Sequence, residues 1–147
     1  MLLHAFRRAE VGPNSGRSVL IFGVGTIGLL ACALAKAYGA TRVCAIDINQ
    51  ARLNFALKEG FAHQVFCVPA GEKPKTTDEQ IRRARENASA ALSAFGLTDG
   101  FDVIFECTGA EPCIQMSVFV SFSPSSPPRT VPLSCLALLS PLFCSEY

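Results

Sequence analysis

Short apolar blocks alternate with longer segments whose apolar residues recur at three- and four-residue steps, from residue 18 to residue 106. The first block, 18–22 in GRSVLIFGVG, follows a turn and is a continuous apolar run after its serine. Such a run suits a strand buried on both faces, as in a parallel sheet. The Ala- and Leu-rich segment 26–38 reads as a helix, with Gly39 placed to close its C-terminus. A second strand is expected over 42–46, ending at Asp47. Asn49 is a good N-cap for a second helix that stops before Gly60, with Leu53, Ala56 and Leu57 on one face. HQVFCV, 63–68, reads as a third strand stopped by Pro69, and 69–75 as a polar loop. TTDEQIRRARENASAALSAF, 76–95, reads as a longer helix with an apolar stripe of Ile81, Ala84, Ala88, Ala91, Leu92 and Phe95. Its start carries a capping box, Thr76 with Glu79 or Thr77 with Gln80, and Gly96 marks its stop. A fourth strand is expected over 102–106, then a turn at Thr108-Gly109. This alternation predicts parallel strands joined by right-handed crossovers.

The pattern breaks near Met116. The 31 residues that follow hold five of the nine prolines and eight serines, and only Arg129 and Glu146 carry side-chain charge. Prolines at 124, 127, 128, 132 and 141 would interrupt a regular element. The expected organisation is therefore a helical lead-in at 1–16, a domain at 17–117, and an irregular or disordered tail at 118–147. A reading frame continued into a retained intron is the expected source of that tail. Leu133 to Phe143 is apolar but too short to span a bilayer.

Composition narrows the partners. The chain has 147 residues and a formal net charge of +1, which suggests neither nucleic acid nor an acidic membrane surface as a partner. Seven cysteines, at 32, 44, 67, 107, 113, 135 and 144, include no C-x-x-C pair. An odd count without that spacing points to reduced thiols and a cytoplasmic protein rather than a disulfide framework or zinc site. The charged residues at the N-terminus come after its apolar start, the wrong order for a signal peptide. His4 and His63 are the only histidines, and no second ligand is spaced to share a metal with either.

One stretch carries chemistry. Gly23-Val24-Gly25-Thr26-Ile27-Gly28 is a G-x-G-x-x-G that follows the first strand and opens the first helix. Asp47 ends the next strand, close to the spacing of about 20 residues at which such motifs place an acid. Gly23 permits a tight turn, Gly25 lets backbone approach a pyrophosphate, and Gly28 lets the helix pack on the strand. Thr26 and Ile27 then offer first-turn N–H groups to the phosphates. Asp47 can accept from both hydroxyls of the adenosine ribose and would repel a 2′-phosphate, which favours NAD over NADP. Glu106, at a strand end, is a weak candidate for a base, since such acids more often accept backbone hydrogen bonds.

Together the stretches HAFRRA, VLIFGVGTIGLLACALAKAYGA, DINQARL and FDVIFECTGAEPCIQ resemble the zinc-containing medium-chain alcohol and polyol dehydrogenases, nearest the sorbitol/xylitol branch. The resemblance covers about residues 3–116. It implies a pyrophosphate turn at Gly23, Gly25, Thr26, Ile27 and Gly28, a ribose ligand at Asp47, and Arg52 beside the adenosine end. It also implies that Cys107, Thr108 and Gly109 sit where the fourth strand opens into the cleft, near the nicotinamide half of the cofactor.

The implied fold is α/β: an incomplete, Rossmann-type doubly wound sheet of about four parallel strands in the order 3-2-1-4. The implied activity is NAD-dependent oxidation of a secondary alcohol in a polyol-like substrate. Family members also carry a catalytic domain with a Cys, His and Glu zinc site, further strands, and a strand used for subunit pairing. No counterpart of these is legible here. The expectation is thus a cofactor-holding piece without catalytic or metal residues, and without the family's homo-oligomer interface. The alternatives are a non-catalytic NAD-binding fragment and a non-functional product of a truncated gene model.

Overall fold

The chain, in a computed structural model that describes residues 2–71, 74–121 and 136–138, alternates helix and strand. The elements are α1 (Leu2–Arg8), β1 (Ser18–Phe22), α2 (Thr26–Ala37), β2 (Arg42–Asp47), α3 (Gln50–Lys58), β3 (Gln64–Cys67), α4 (Thr77–Phe95), β4 (Val103–Glu106), α5 (Glu111–Ser121) and β5 (Leu136–Leu138). The strands form one parallel sheet in the order β3-β2-β1-β4-β5. The four expected strands are present in the expected order, and the fold is the doubly wound α/β class.

Strand alternation divides the core into two layers. Val19, Ile21, Val43, Ala45, Val103 and Phe105 face α1, α2 and α3. Leu20, Phe22, Cys44, Ile46 and Ile104 face α4 and α5, meeting Ala84, Ala88, Ala91, Leu92, Phe95, Met116 and Val120. The strands therefore read as continuous apolar runs because both faces are covered. The lead-in helix belongs to the first layer. Phe6 is fully buried, stacked on Phe105 at 4.3 Å between ring centroids and edge-on to Tyr38 at 5.8 Å. Burial of such a ring contributes about 1.5–3 kcal/mol.

Helix ends follow the expected chemistry, with one difference between helices. Asn49 accepts from the N–H groups of Ala51 and Arg52 at the start of α3. Thr76 accepts from the N–H of Glu79 at the start of α4, so Thr76 rather than Thr77 is the cap, while the Glu79 carboxylate accepts from the N–H of Lys75, one residue before the position a closed capping box would use. Gly25 stands at the N-cap of α2 with no side-chain hydrogen bond.

Several expectations change. Leu57 is 42% exposed and Ile81 38% exposed, so the buried faces of α3 and α4 are narrower than expected, Leu53 and Ala56 in α3 and Ala84, Ala88, Ala91, Leu92 and Phe95 in α4. Helix α5 was not expected from the pattern, yet it runs through the composition change at Met116 and past the boundary after residue 117. Its Pro112 lies in the first turn, where the missing N–H costs nothing. Its buried residues are Met116, Ser117 and Val120, and Ser117 bonds back to the carbonyl of Ile114. Within the tail expected to be irregular, Leu136–Leu138 pairs parallel to β4, Ile104 opposite Leu136. The rest of that tail, 122–135 and 139–147, lies outside the described residues, with Cys135 and Cys144.

Candidate functional site

Parallel strands bring their C-terminal ends to one edge of the sheet. Register sets Phe22 between Ile46 and Glu106, so the segments after β1, β2 and β4 meet there. The edge of β1 is the topological switch point, since its neighbours β2 and β4 are reached by crossovers on opposite faces; crevices at such points bind ligands in open α/β sheets.

The glycine turn is fixed from within. The N–H of Gly23 donates to the carbonyl of Ile46 at 2.7 Å. Gly23 has φ of +87°, and a Cβ there would fall 2.6 Å from Cγ2 of Thr108. A Cβ on Gly28 would fall 1.8 Å from the carbonyl oxygen of Gly23. Both positions therefore need glycine for reasons of the fold. Gly25 differs: a Cβ there meets nothing within 4 Å. The first turn of α2 opens onto that free space, with Thr26 exposed and Ile27 37% exposed. No side-chain oxygen of Gly25 occupies the first-turn donors, unlike the starts of α3 and α4.

Two acidic side chains hold the walls beside the turn. Asp47 is buried; Oδ2 accepts from the N–H of Val24 at 2.7 Å and Oδ1 from the N–H of Asn49 at 2.8 Å. Each oxygen keeps acceptor capacity, because an ionised carboxylate offers about four lone-pair sites. Glu106 is 1% exposed. Its Oε1 accepts from the N–H of Thr108 at 2.8 Å and from the Thr108 hydroxyl, and its Oε2 accepts from the N–H of Gly109 at 2.9 Å. The N–H of Cys107 donates to the carbonyl of Phe22 at 2.9 Å. Glu106 is thus committed to the turn that follows it.

Arg52 stands in the first turn of α3, which the structure brings up to the glycine turn. It lines a cavity of about 270 Å³ with Val24, Leu29, Asn49, Ala51 and Phe55. Two residues near these elements escaped the sequence reading. Ile48, directly after Asp47, is 77% exposed, and Phe55 is 48% exposed. An apolar residue in a turn where polar ones are usual was the available signal for Ile48.

Burial holds four of the described thiols in their neutral form. Burial pushes Cys107 up to about 12, and the adjacent Glu106 carboxylate adds to the shift. Burial likewise raises Cys32 and Cys44 to about 12 and raises Cys113. His63 is occupied structurally, its Nδ1 accepting from the N–H of Val43 at 2.8 Å. Among the described residues no three His, Cys, Asp or Glu side chains converge as a metal site. Nor, among them, is any helix long and apolar enough to cross a membrane.

Comparison with known proteins now adds what geometry cannot. The family model described as zinc-binding dehydrogenase matches residues 26–121. The chain belongs to the zinc-binding dehydrogenase family. D-xylulose reductase A of Aspergillus niger is 39% identical over 111 residues, which are 76% of this chain and 28% of that protein. Among solved structures, galactitol-1-phosphate dehydrogenase from Escherichia coli is 32% identical with a TM-score of 0.55, covering 82% of this chain and 30% of that one. A zinc-binding dehydrogenase from Sinorhizobium meliloti, solved bound to NADP, shares the fold at 24% identity and a TM-score of 0.57. The chain thus spans under a third of these relatives, and the matched part is a Rossmann-type oxidoreductase domain.

Proposed function

We propose that this chain holds NAD for a zinc-type polyol dehydrogenase, with the pyrophosphate over Gly23–Gly28. The observation that carries the reading is the open space at Gly25, in a turn whose other two glycines are both dictated by packing. Backbone can approach an anion there, and first-turn N–H groups of α2, at Thr26 and Ile27, point to it. Asp47 accepts from the adenosine ribose with the lone pairs left after Val24 and Asn49. Its charge opposes a 2′-phosphate, so NAD is the preferred cofactor. Arg52 lies on the adenosine side, and Cys107, Thr108 and Gly109 form the facing wall from β4.

Bound NAD supplies the hydride acceptor for oxidation of a secondary alcohol. The described residues bind and orient; they offer no proton relay and no fitting set of zinc ligands, so no step is assigned to zinc here. The xylulose reductase and galactitol-phosphate dehydrogenase relatives support a polyol-like substrate for the parent activity. The five described cysteines, buried or half-buried and unpaired, support a cytoplasmic setting.

Calorimetric titration of the folded 147-residue chain with NAD and with NADP tests this. Saturable heat with NAD, and weaker heat with NADP, is expected. Asp47→Asn should shift the NAD-to-NADP preference toward NADP, since the repelling charge is gone. Folded protein giving no heat at millimolar NAD would sink the reading.

A further inference from the structure

The carboxylate at the end of β4 has no assigned role beyond the fold, yet its contacts lead straight to the glycine turn. Glu106 is buried and sits opposite Phe22, the residue before Gly23. It accepts from both the N–H and the hydroxyl of Thr108, and from the N–H of Gly109. This grip fixes where the Thr108 side chain stands. Thr108 in turn is packed on Gly23 so closely that a single carbon added to Gly23 would fall 2.6 Å from its Cγ2, with the Cys107 carbonyl carbon at 3.5 Å and the Thr108 nitrogen at 3.6 Å. The chain of contact is unbroken from Glu106 through Thr108 to Gly23. On the other flank Asp47 grips the next residue, accepting from the N–H of Val24. The glycine turn is therefore clamped from both neighbouring strands, each time by a strand-end acid that accepts backbone N–H groups.

We infer that Glu106 is a positioning residue of the cofactor cleft: through Thr108 it sets the width of the crevice between the β1 and β4 turns. The inference rests on the NAD-binding reading of the Gly23–Gly28 turn. A glutamine at 106 keeps the shape but presents an NH₂ group where one oxygen accepted, and two donors then face each other at Gly109 or Thr108. The β4 turn must move, and the wall facing Gly23 and Gly25 moves with it.

The opposite end of the same two strands supplies the control. There Asp102 Oδ2 accepts from the N–H of Ser18 at 2.8 Å and from its hydroxyl at 2.7 Å, and Ser18 Oγ accepts from the N–H of Asp102 at 3.1 Å. This pair also joins β1 to β4 through a carboxylate, but far from the glycine turn. Asp102 is exposed where Glu106 is buried, so the two substitutions are compared by NAD affinity of folded protein rather than by stability; a purely structural role for Glu106 leaves that affinity unchanged in both. A positioning role separates them.

The test is NAD titration by calorimetry on the full chain, at a temperature where circular dichroism shows each variant folded. Glu106→Gln should weaken NAD binding about tenfold or more, the cost of one charged hydrogen bond misplaced. Asp102→Asn should leave affinity within about twofold. Thr108→Val, which keeps a methyl against Gly23 and puts a second methyl where the hydroxyl donated to Glu106 and accepted from the N–H of Ala110, gives the readout if Glu106→Gln does not fold; a loss of about threefold to tenfold is expected. Equal effects at the two ends, or unchanged affinity in Glu106→Gln and Thr108→Val with wild type binding normally, would overturn the positioning role alone. Absence of NAD binding by the folded wild type would instead overturn the cofactor reading, and this inference with it.

Discussion

Three glycines of one motif carry different burdens. Gly23 and Gly28 are required by contacts inside the protein, with Thr108 Cγ2 and the Gly23 carbonyl oxygen respectively. Gly25 is not. Substitution separates the two kinds. Gly28→Ala places a methyl 1.8 Å from a backbone oxygen, and the helix must back away from the strand; a loss of about 1–3 kcal/mol is expected, read as a lower urea midpoint. Gly25→Ala adds its methyl to open space at an ordinary negative φ of −75°. Its stability should fall by no more than about 1 kcal/mol, the cost of alanine for glycine at a helix N-cap, while NAD affinity falls because the methyl stands where the pyrophosphate would lie. Equal destabilisation by the two substitutions would contradict this division. Asp47 combines both burdens, since it holds Val24 and Asn49 as well as facing the ribose, so an alanine there would lose binding partly by loosening the turn.

Among elements, α1 and α5 show what pattern reading leaves out. The short helix α1 has seven residues, too few to be stable alone. It is held by Phe6 between Tyr38 and Phe105, contacts between residues distant in sequence. Phe6→Ala should cost about 3–5 kcal/mol in chemical denaturation, the range for emptying a buried aromatic site. A cost near zero would mean that α1 is not part of the core. Helix α5 has apolar residues on several sides and a proline at its second position, so no clean stripe marks it. It packs against α4, where Arg85 sits 5.0 Å above the ring of Phe119. Its neighbours, rather than its own periodicity, select its buried residues.

For the whole molecule, the buried thiols couple stability to alkaline pH. Cys32, Cys44 and Cys107 ionise near 9 when unfolded and near 12 when folded, chiefly because burial disfavours the thiolate. A pKa raised by folding stabilises the native state fully below the unfolded value, and that contribution is lost as pH rises through the folded value. Stability should therefore hold up to about pH 9 and decline from there toward pH 12. Melting temperatures at pH 8 and pH 10.5 measure this. Replacing the three cysteines with alanine should shrink the difference between the two, whereas an unchanged difference would assign the alkaline loss to other groups.

The amino-acid sequence by itself determined the strands and helices between residues 18 and 106 and the glycine–acid signature, while the strand order followed from the family resemblance. The reason is that elements and signature depend on local rules. Continuous apolar runs, a caps-and-breakers grammar and the spacing from Gly28 to Asp47 all act within about 20 residues. Only the tertiary structure decided what lies next to what. It joined Glu106 to Gly23 through Thr108, seated Phe6 on Phe105, and set Leu136–Leu138 beside β4. These are contacts across the sheet between residues many positions apart. No periodicity encodes them, because they arise when separate segments come together at one end of a folded sheet.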